Sequence, residues 1–135
     1  MSLSSRKMSQ ETAVIKEKYQ LMKVIDETTP DFPYQLILMY LSSGCPLSEV
    51  VDDLSRLLVP EMKTIITGDF NFDKDEENSL SIYLRNGNFE QKVSWPTHCQ
   101  GRTIDHCYTN TRVKLIRHSP YFSDHSALCI EFEDL

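Results

Sequence analysis

Four glycines and six prolines in 135 residues are too few for a collagen-like or low-complexity chain. No apolar run approaches the roughly 18 residues of a membrane span. The polar start MSLSSRKMSQETAVIKEKY holds no apolar stretch of signal-peptide length. The expectation is a soluble intracellular domain, cytoplasmic or nuclear and not secreted, with no membrane partner. Cysteine is sparse and scattered (Cys45, Cys99, Cys107, Cys129), with no CxxC pair, so free thiols are expected in place of a disulfide framework. Positive charge is also short. Lys and Arg number 14 against 20 Asp and Glu, which excludes a uniformly basic nucleic-acid coat and a polybasic membrane binder. What is present is a 40% hydrophobic chain of single-domain length, enough for one core.

The net charge of −6 hides an asymmetry. Residues 92–118 carry Lys92, Arg102, Arg112, Lys114 and Arg117 against the one acid Asp105, whereas the flanking stretches are acidic. The same stretch holds Trp95, His98, His106, Tyr108 and His118. Charge runs are usually solvated surface, yet a basic segment interleaved with aromatics also suits a phosphate backbone.

Along the chain, apolar positions between Glu11 and Ile25 predict a helix, which Asp26–Pro33 with its two prolines breaks. Tyr34–Leu41 (YQLILMYL) is a nearly continuous apolar run, as in a strand buried on both faces. Pro46–Val59 has apolar residues at 47, 50, 51, 54, 57 and 58, a helical stripe ended by Pro60. A second buried strand leads to Gly68-Asp69, a short helix spans Ser79–Arg85, and strands follow near 89–93, 103–109, 112–117 and 127–132. This order predicts an α/β (α+β) domain around a central sheet.

Chemistry concentrates at strand ends. In Thr67-Gly68-Asp69-Phe70-Asn71-Phe72 a carboxylate and a carboxamide two apart point the same way, suited to orient a water and contact a phosphate or metal. A plain strand-end turn explains the same residues. A calcium loop does not, because its sixth and twelfth positions would be Lys74 and Leu80 instead of Gly and Glu. Asp105-His106 and Ser123-Asp124-His125 place further carboxylates and imidazoles beside predicted strands. The pairs His98-Cys99 and His106-Cys107 fail as a zinc site, since adjacent strand residues face opposite ways.

Taken in order, a strand ending at Tyr40, a helix, IITGDFN at 65–71, GRTIDH at 101–106 and SDH at 123–125 resemble the endonuclease/exonuclease/phosphatase superfamily, with its DNase I-like and exonuclease III-like members. The stretch from Trp95-Pro96-Thr97-His98 to Asp105 looks most like endonuclease domains of transposable elements. The resemblance implies a metal-dependent phosphodiesterase, an endonuclease on DNA or its C-terminal catalytic half. Asp69 would orient or deprotonate the attacking water, and Asn71 would hold the scissile phosphate. His125, backed by Asp105, would donate to the phosphate as charge builds. Asp124 would help bind Mg²⁺, with Mn²⁺ as the alternative, and Tyr40 would reach the phosphate. Trp95, His98 and Arg102 would line the nucleic-acid groove.

A complete member is a four-layer α/β sandwich of about twice this length, so the expected fold is half of one: a mixed, mostly antiparallel sheet with flanking helices. Residues 1–31 would form an N-terminal segment carrying the helix, and 32–135 the truncated domain. Glu11, in Ser9-Gln10-Glu11-Thr12, resembles the family's metal-binding Glu, though no apolar strand precedes it. Half a sandwich also predicts an open apolar sheet face, covered by a homodimer mate or a partner chain. Two readings stay open: an active phosphodiesterase, and an inactive relative that binds nucleic acid or protein.

Overall fold

The computed structural model describes residues 8–26, 34–94, 96, 101–111, 113–118 and 127–132. The apolar run Tyr34–Leu41 forms strand β3, and Lys63–Asp69 forms β4, parallel to it. Parallel neighbours need a crossover, and α1 (Leu47–Leu57) supplies it, burying the stripe Val50, Leu54 and Leu57. Pro46 stands at its N-cap, and Leu58 is already extended two residues before Pro60. The orphan carbonyl of Leu57 accepts a 2.8 Å hydrogen bond from the Lys23 ammonium. A second helix, α2 (Ser79–Asn86), starts on a capping box between Asn78 and Ser81 and packs beside α1.

The predicted helix over Glu11–Ile25 is absent. Strands β1 (Met8–Ile15) and β2 (Tyr19–Asp26) form an antiparallel hairpin there, and β2 pairs with β3 along its whole length. Together with β5 (Glu90–Gln91) and β6 (Asp105–Thr109) they build one six-stranded sheet in the order β1-β2-β3-β4-β6-β5. Every pairing but β3–β4 is antiparallel, so the sheet is mixed and mostly antiparallel, as expected. Strands β7 (Val113–His118) and β8 (Ala127–Phe132) pair with each other in a separate two-stranded sheet.

Residues opposite one another in a register share a face, which divides the sheet cleanly. Tyr19, Leu21, Ile37, Met39, Leu41, Ile66 and Tyr108 face the helices and form the core with Leu54, Phe70, Leu80 and Leu84. The other face carries Ile15 (74% exposed), Met22 (40%), Leu38 (41%) and Tyr40 (50%) in adjacent rows. An antiparallel sheet that faces water normally alternates apolar with polar residues. Here both faces are apolar, so the expected open apolar face is present. The expectation that a homodimer covers it finds no support. No helix among the described residues is long and apolar enough to cross a membrane.

The hairpin is fastened to α1 through one buried carboxylate. Tyr19 donates its hydroxyl to Asp53 Oδ2 at 2.5 Å, while Lys16 and Arg56 lie 3.1 and 3.3 Å from the same carboxylate. Losing the phenol donor in Tyr19→Phe should cost about 1–2 kcal/mol in urea unfolding at pH 7. The Tyr19 hydroxyl, and after it the Lys16 ammonium, hold the Asp53 carboxyl below its ordinary range. The unfolded chain therefore takes up that proton first. This contribution is complete above about pH 4 and is lost as pH falls through the folded value. Asp53→Asn should flatten that acid loss, and an unchanged acid limb would contradict the latch.

Candidate active site

The register that builds the sheet also builds a row of functional groups. Tyr40 on β3 pairs with Asp69 at the end of β4, and Asp69 pairs with Asp105 at the start of β6. All three stand on the open face. The Phe70 N–H donates to the Ile104 carbonyl at 2.8 Å. That bond skips the Asp69–Asp105 pair, which is therefore of the non-hydrogen-bonded type, with Cα atoms about 4.5 Å apart and side chains at their closest. Like charges directly opposite destabilise a sheet.

Backbone geometry around Asp69 is specified residue by residue. Gly68 has φ +146°, and a Cβ there would fall 1.8 Å from the Met39 carbonyl oxygen. Only glycine permits β4 to lie this close to β3, one residue before the end of the strand pairing. Asn71 takes φ 58°, a left-handed conformation that asparagine tolerates. Its N–H donates to Asp69 Oδ1 at 3.0 Å, and its Nδ2 donates to the Leu41 carbonyl at 3.0 Å. The turn after β4 is thus tied to the end of β3, beside Tyr40, and one oxygen of Asp69 is oriented by its own loop.

The sequence pattern of the Endonuclease/Exonuclease/phosphatase family matches residues 24–125, and so takes in GDFN, IDH and SDH together. The chain belongs to this family. A comparison with curated protein sequences finds no match. Among solved structures the chain is similar to an endonuclease/exonuclease/phosphatase family protein from Leptotrichia buccalis, with TM-score 0.67 and 11% identity, covering 95% of this chain and 62% of that one. It is also similar to the human Nocturnin catalytic domain, with TM-score 0.60 and 15% identity over 95% of this chain and 60% of that one. CdtB, the biologically active subunit of cytolethal distending toxin, gives TM-score 0.58 and 12% identity over 95% and 58%. The chain therefore spans about three fifths of the length of these relatives, which fits a part of the family's fold.

Of the residues singled out in the sequence, the structure brings Tyr40, Asp69, Asn71 and Asp105 together. Arg102 is exposed on the segment that leads into β6. Trp95, His98, Asp124 and His125 lie outside the described residues, as does the side chain of Glu11. The backbone of Glu11 is placed, and it lies far from Asp69. Following the registers, Asp69 aligns through Tyr40 and Gln20 with Ile15, three strands across the sheet. Glu11 is a further four positions along β1, so its backbone is roughly 19 Å away. Glu11 also falls outside the family match. Glu11 and Asp69 therefore stand apart on the sheet, and the expected sharing of a metal by Glu11 and Asp124 lies outside the described residues.

Family enzymes are generally dependent on divalent metals. Among the described residues no group of three metal-ligating side chains forms a site, and the two carboxylates Asp69 and Asp105 fall short of one on their own. The thiol of Cys107, buried on β6, is pushed up to about 12 by burial, which removes it as a nucleophile. Gly68→Ala should unfold the end of the β3–β4 pair. A loss of at least about 2–3 kcal/mol in urea unfolding is expected, since both the φ and the Met39 contact are violated. Wild-type stability in this variant would contradict the close approach.

Proposed function

We propose that this chain is a metal-dependent phosphodiesterase, an endonuclease on DNA or the catalytic C-terminal part of one. The observation that carries the reading is the Asp69–Asp105 pair, two carboxylates held opposite each other on an open face inside a family match that includes their motifs. Two carboxylates at one level on neighbouring strands suit the handling of a water and a phosphodiester.

In this reading Asp69 accepts the proton of the attacking water, and the Asn71 N–H fixes which carboxylate oxygen faces it. The Asn71 amide has two N–H bonds, and the one not spent on Leu41 is available for a phosphate oxygen. Tyr40 offers its phenol to the same phosphate from the neighbouring strand. As the resemblance implies, Asp105 would back His125 and favour its charged form as negative charge builds on the phosphoryl oxygens. Water oxygen becomes bonded to phosphorus, the P–O bond to the leaving group breaks, and the leaving oxygen takes a proton. Mg²⁺, or Mn²⁺, held with the help of Asp124, would supply neutralisation of phosphate charge. Trp95, His98 and Arg102, within the locally basic stretch, support a nucleic-acid ligand.

A second reading rests on the open apolar face and on a chain that spans about three fifths of its structural relatives. The chain would then be an inactive relative whose face binds a partner protein or whose basic stretch binds nucleic acid. Incubation of the 135-residue chain with supercoiled plasmid in Mg²⁺, Mn²⁺ or EDTA separates the two. The expected result is metal-dependent nicking that falls at least about 100-fold in Asp69→Asn and in His125→Ala. No nicking from a folded chain, or nicking unchanged in both variants, would overturn the enzyme reading. A gel shift without nicking would favour the binding module.

A further inference from the structure

The Asp69–Asp105 pair is the last pair of the β4–β6 ladder, where strands fray. The segment just ahead of Asp105 is nonetheless held at three points. The Thr103 N–H donates to Asp73 Oδ1 at 2.9 Å. The Thr103 carbonyl lies 2.8 Å from His106 Nε2, and the Ile104 carbonyl accepts from Phe70 N–H. A carbonyl only accepts, so His106 Nε2 carries a proton. His106 Nδ1 lies 3.1 Å from the Tyr108 hydroxyl, which completes a neutral imidazole with both nitrogens bonded. The ring is fully buried, stacked on Phe70 at 4.7 Å and edge-on to Phe72 at 5.2 Å. Burial also lowers its affinity for a second proton. Asp73 is fixed in turn by the Asp75 N–H on its other oxygen.

We propose that Asp73 and His106 are positioning residues that grip the Thr103 peptide from its two sides and thereby hold Asp105 opposite Asp69. Neither faces the reacting atoms: His106 points into the core, and Asp73 acts through the backbone of residues 103–104. The two loops that carry Asp69 and Asp105 become one rigid unit through these side chains. The inference rests on the phosphodiesterase reading for its purpose, though the clamp itself is a matter of geometry.

The test uses the full chain and the variants Asp73→Ala, His106→Leu and His106→Gln, the last retaining an N–H donor near the Nε2 position. Amide hydrogen exchange is read at Phe70, whose partner Ile104 belongs to neither mutated residue. Nitrogen-15 spectra of the wild-type imidazole give its tautomer. Turnover is measured on a labelled DNA duplex with Mg²⁺. Faster Phe70 exchange in Asp73→Ala and His106→Leu, with β2–β3 amides unchanged, is expected. With it should come a fall in kcat of about 100-fold at nearly constant KM, largely restored in His106→Gln. Should His106→Leu fail to fold, Asp73→Ala and His106→Gln still decide. Phe70 exchange at the wild-type rate in Asp73→Ala, or a wild-type imidazole protonated on Nδ1, would overturn the clamp whatever the turnover. A wild-type chain with no turnover but a protected Phe70 amide would instead defeat the phosphodiesterase reading and leave the clamp standing as a structural device.

Discussion

The whole arrangement depends on one close approach, where β4 passes the Met39 carbonyl with no side chain at Gly68. Because β3 and β4 lie parallel and flush up to that point, Tyr40 and Asp69 end at the same level. Because β6 pairs antiparallel with β4 from Ile65 to Asp69, Asp105 arrives opposite Asp69. The positive φ of Asn71 then turns the chain and returns its N–H to Asp69. Three residues far apart in the sequence are placed by backbone register, and Asp73 and His106 hold the segment that leads into Asp105.

A second constraint is the unequal treatment of the two sheet faces. One is sealed by α1 and α2, with Tyr19 and Asp53 fastening the hairpin to the helix layer. The other bears Ile15, Met22, Leu38 and Tyr40 toward solvent. The candidate row lies on this second face, so anything that packs against the apolar patch will border the site.

Much of this was legible in the sequence. The continuous apolar run at 34–41, the stripe at 47–58 and the breaks at Pro46 and Pro60 fixed β3, α1 and β4 with almost their observed ends. GDFN and IDH pointed to Asp69, Asn71 and Asp105, and the register brings those together. The hairpin at 8–26 was misread as a helix for a physical reason. Residues of β2 are apolar on both faces, Tyr19 and Leu21 inward and Met22 outward, so the period of two never showed. In the sequence Asp73 is one acid among several after GDFN, and His106 is half of a His-Cys pair. Their hydrogen bonds to Thr103 link residues about 30 apart in one case and one turn apart in the other, and no local pattern signals such a clamp.

The central claim is that Asp69 and Asp105 form a non-hydrogen-bonded antiparallel pair with both carboxylates on the open face. In such a pair the two Hα protons are nearest neighbours across the ladder. An NMR nuclear Overhauser measurement on the labelled chain reads this contact directly. The account predicts a strong Hα–Hα cross-peak between Asp69 and Asp105. A cross-peak from Asp69 to the Hα of Ile104 or His106 in its place would mean a one-residue slip. That slip would turn one carboxylate into the core and contradict the site.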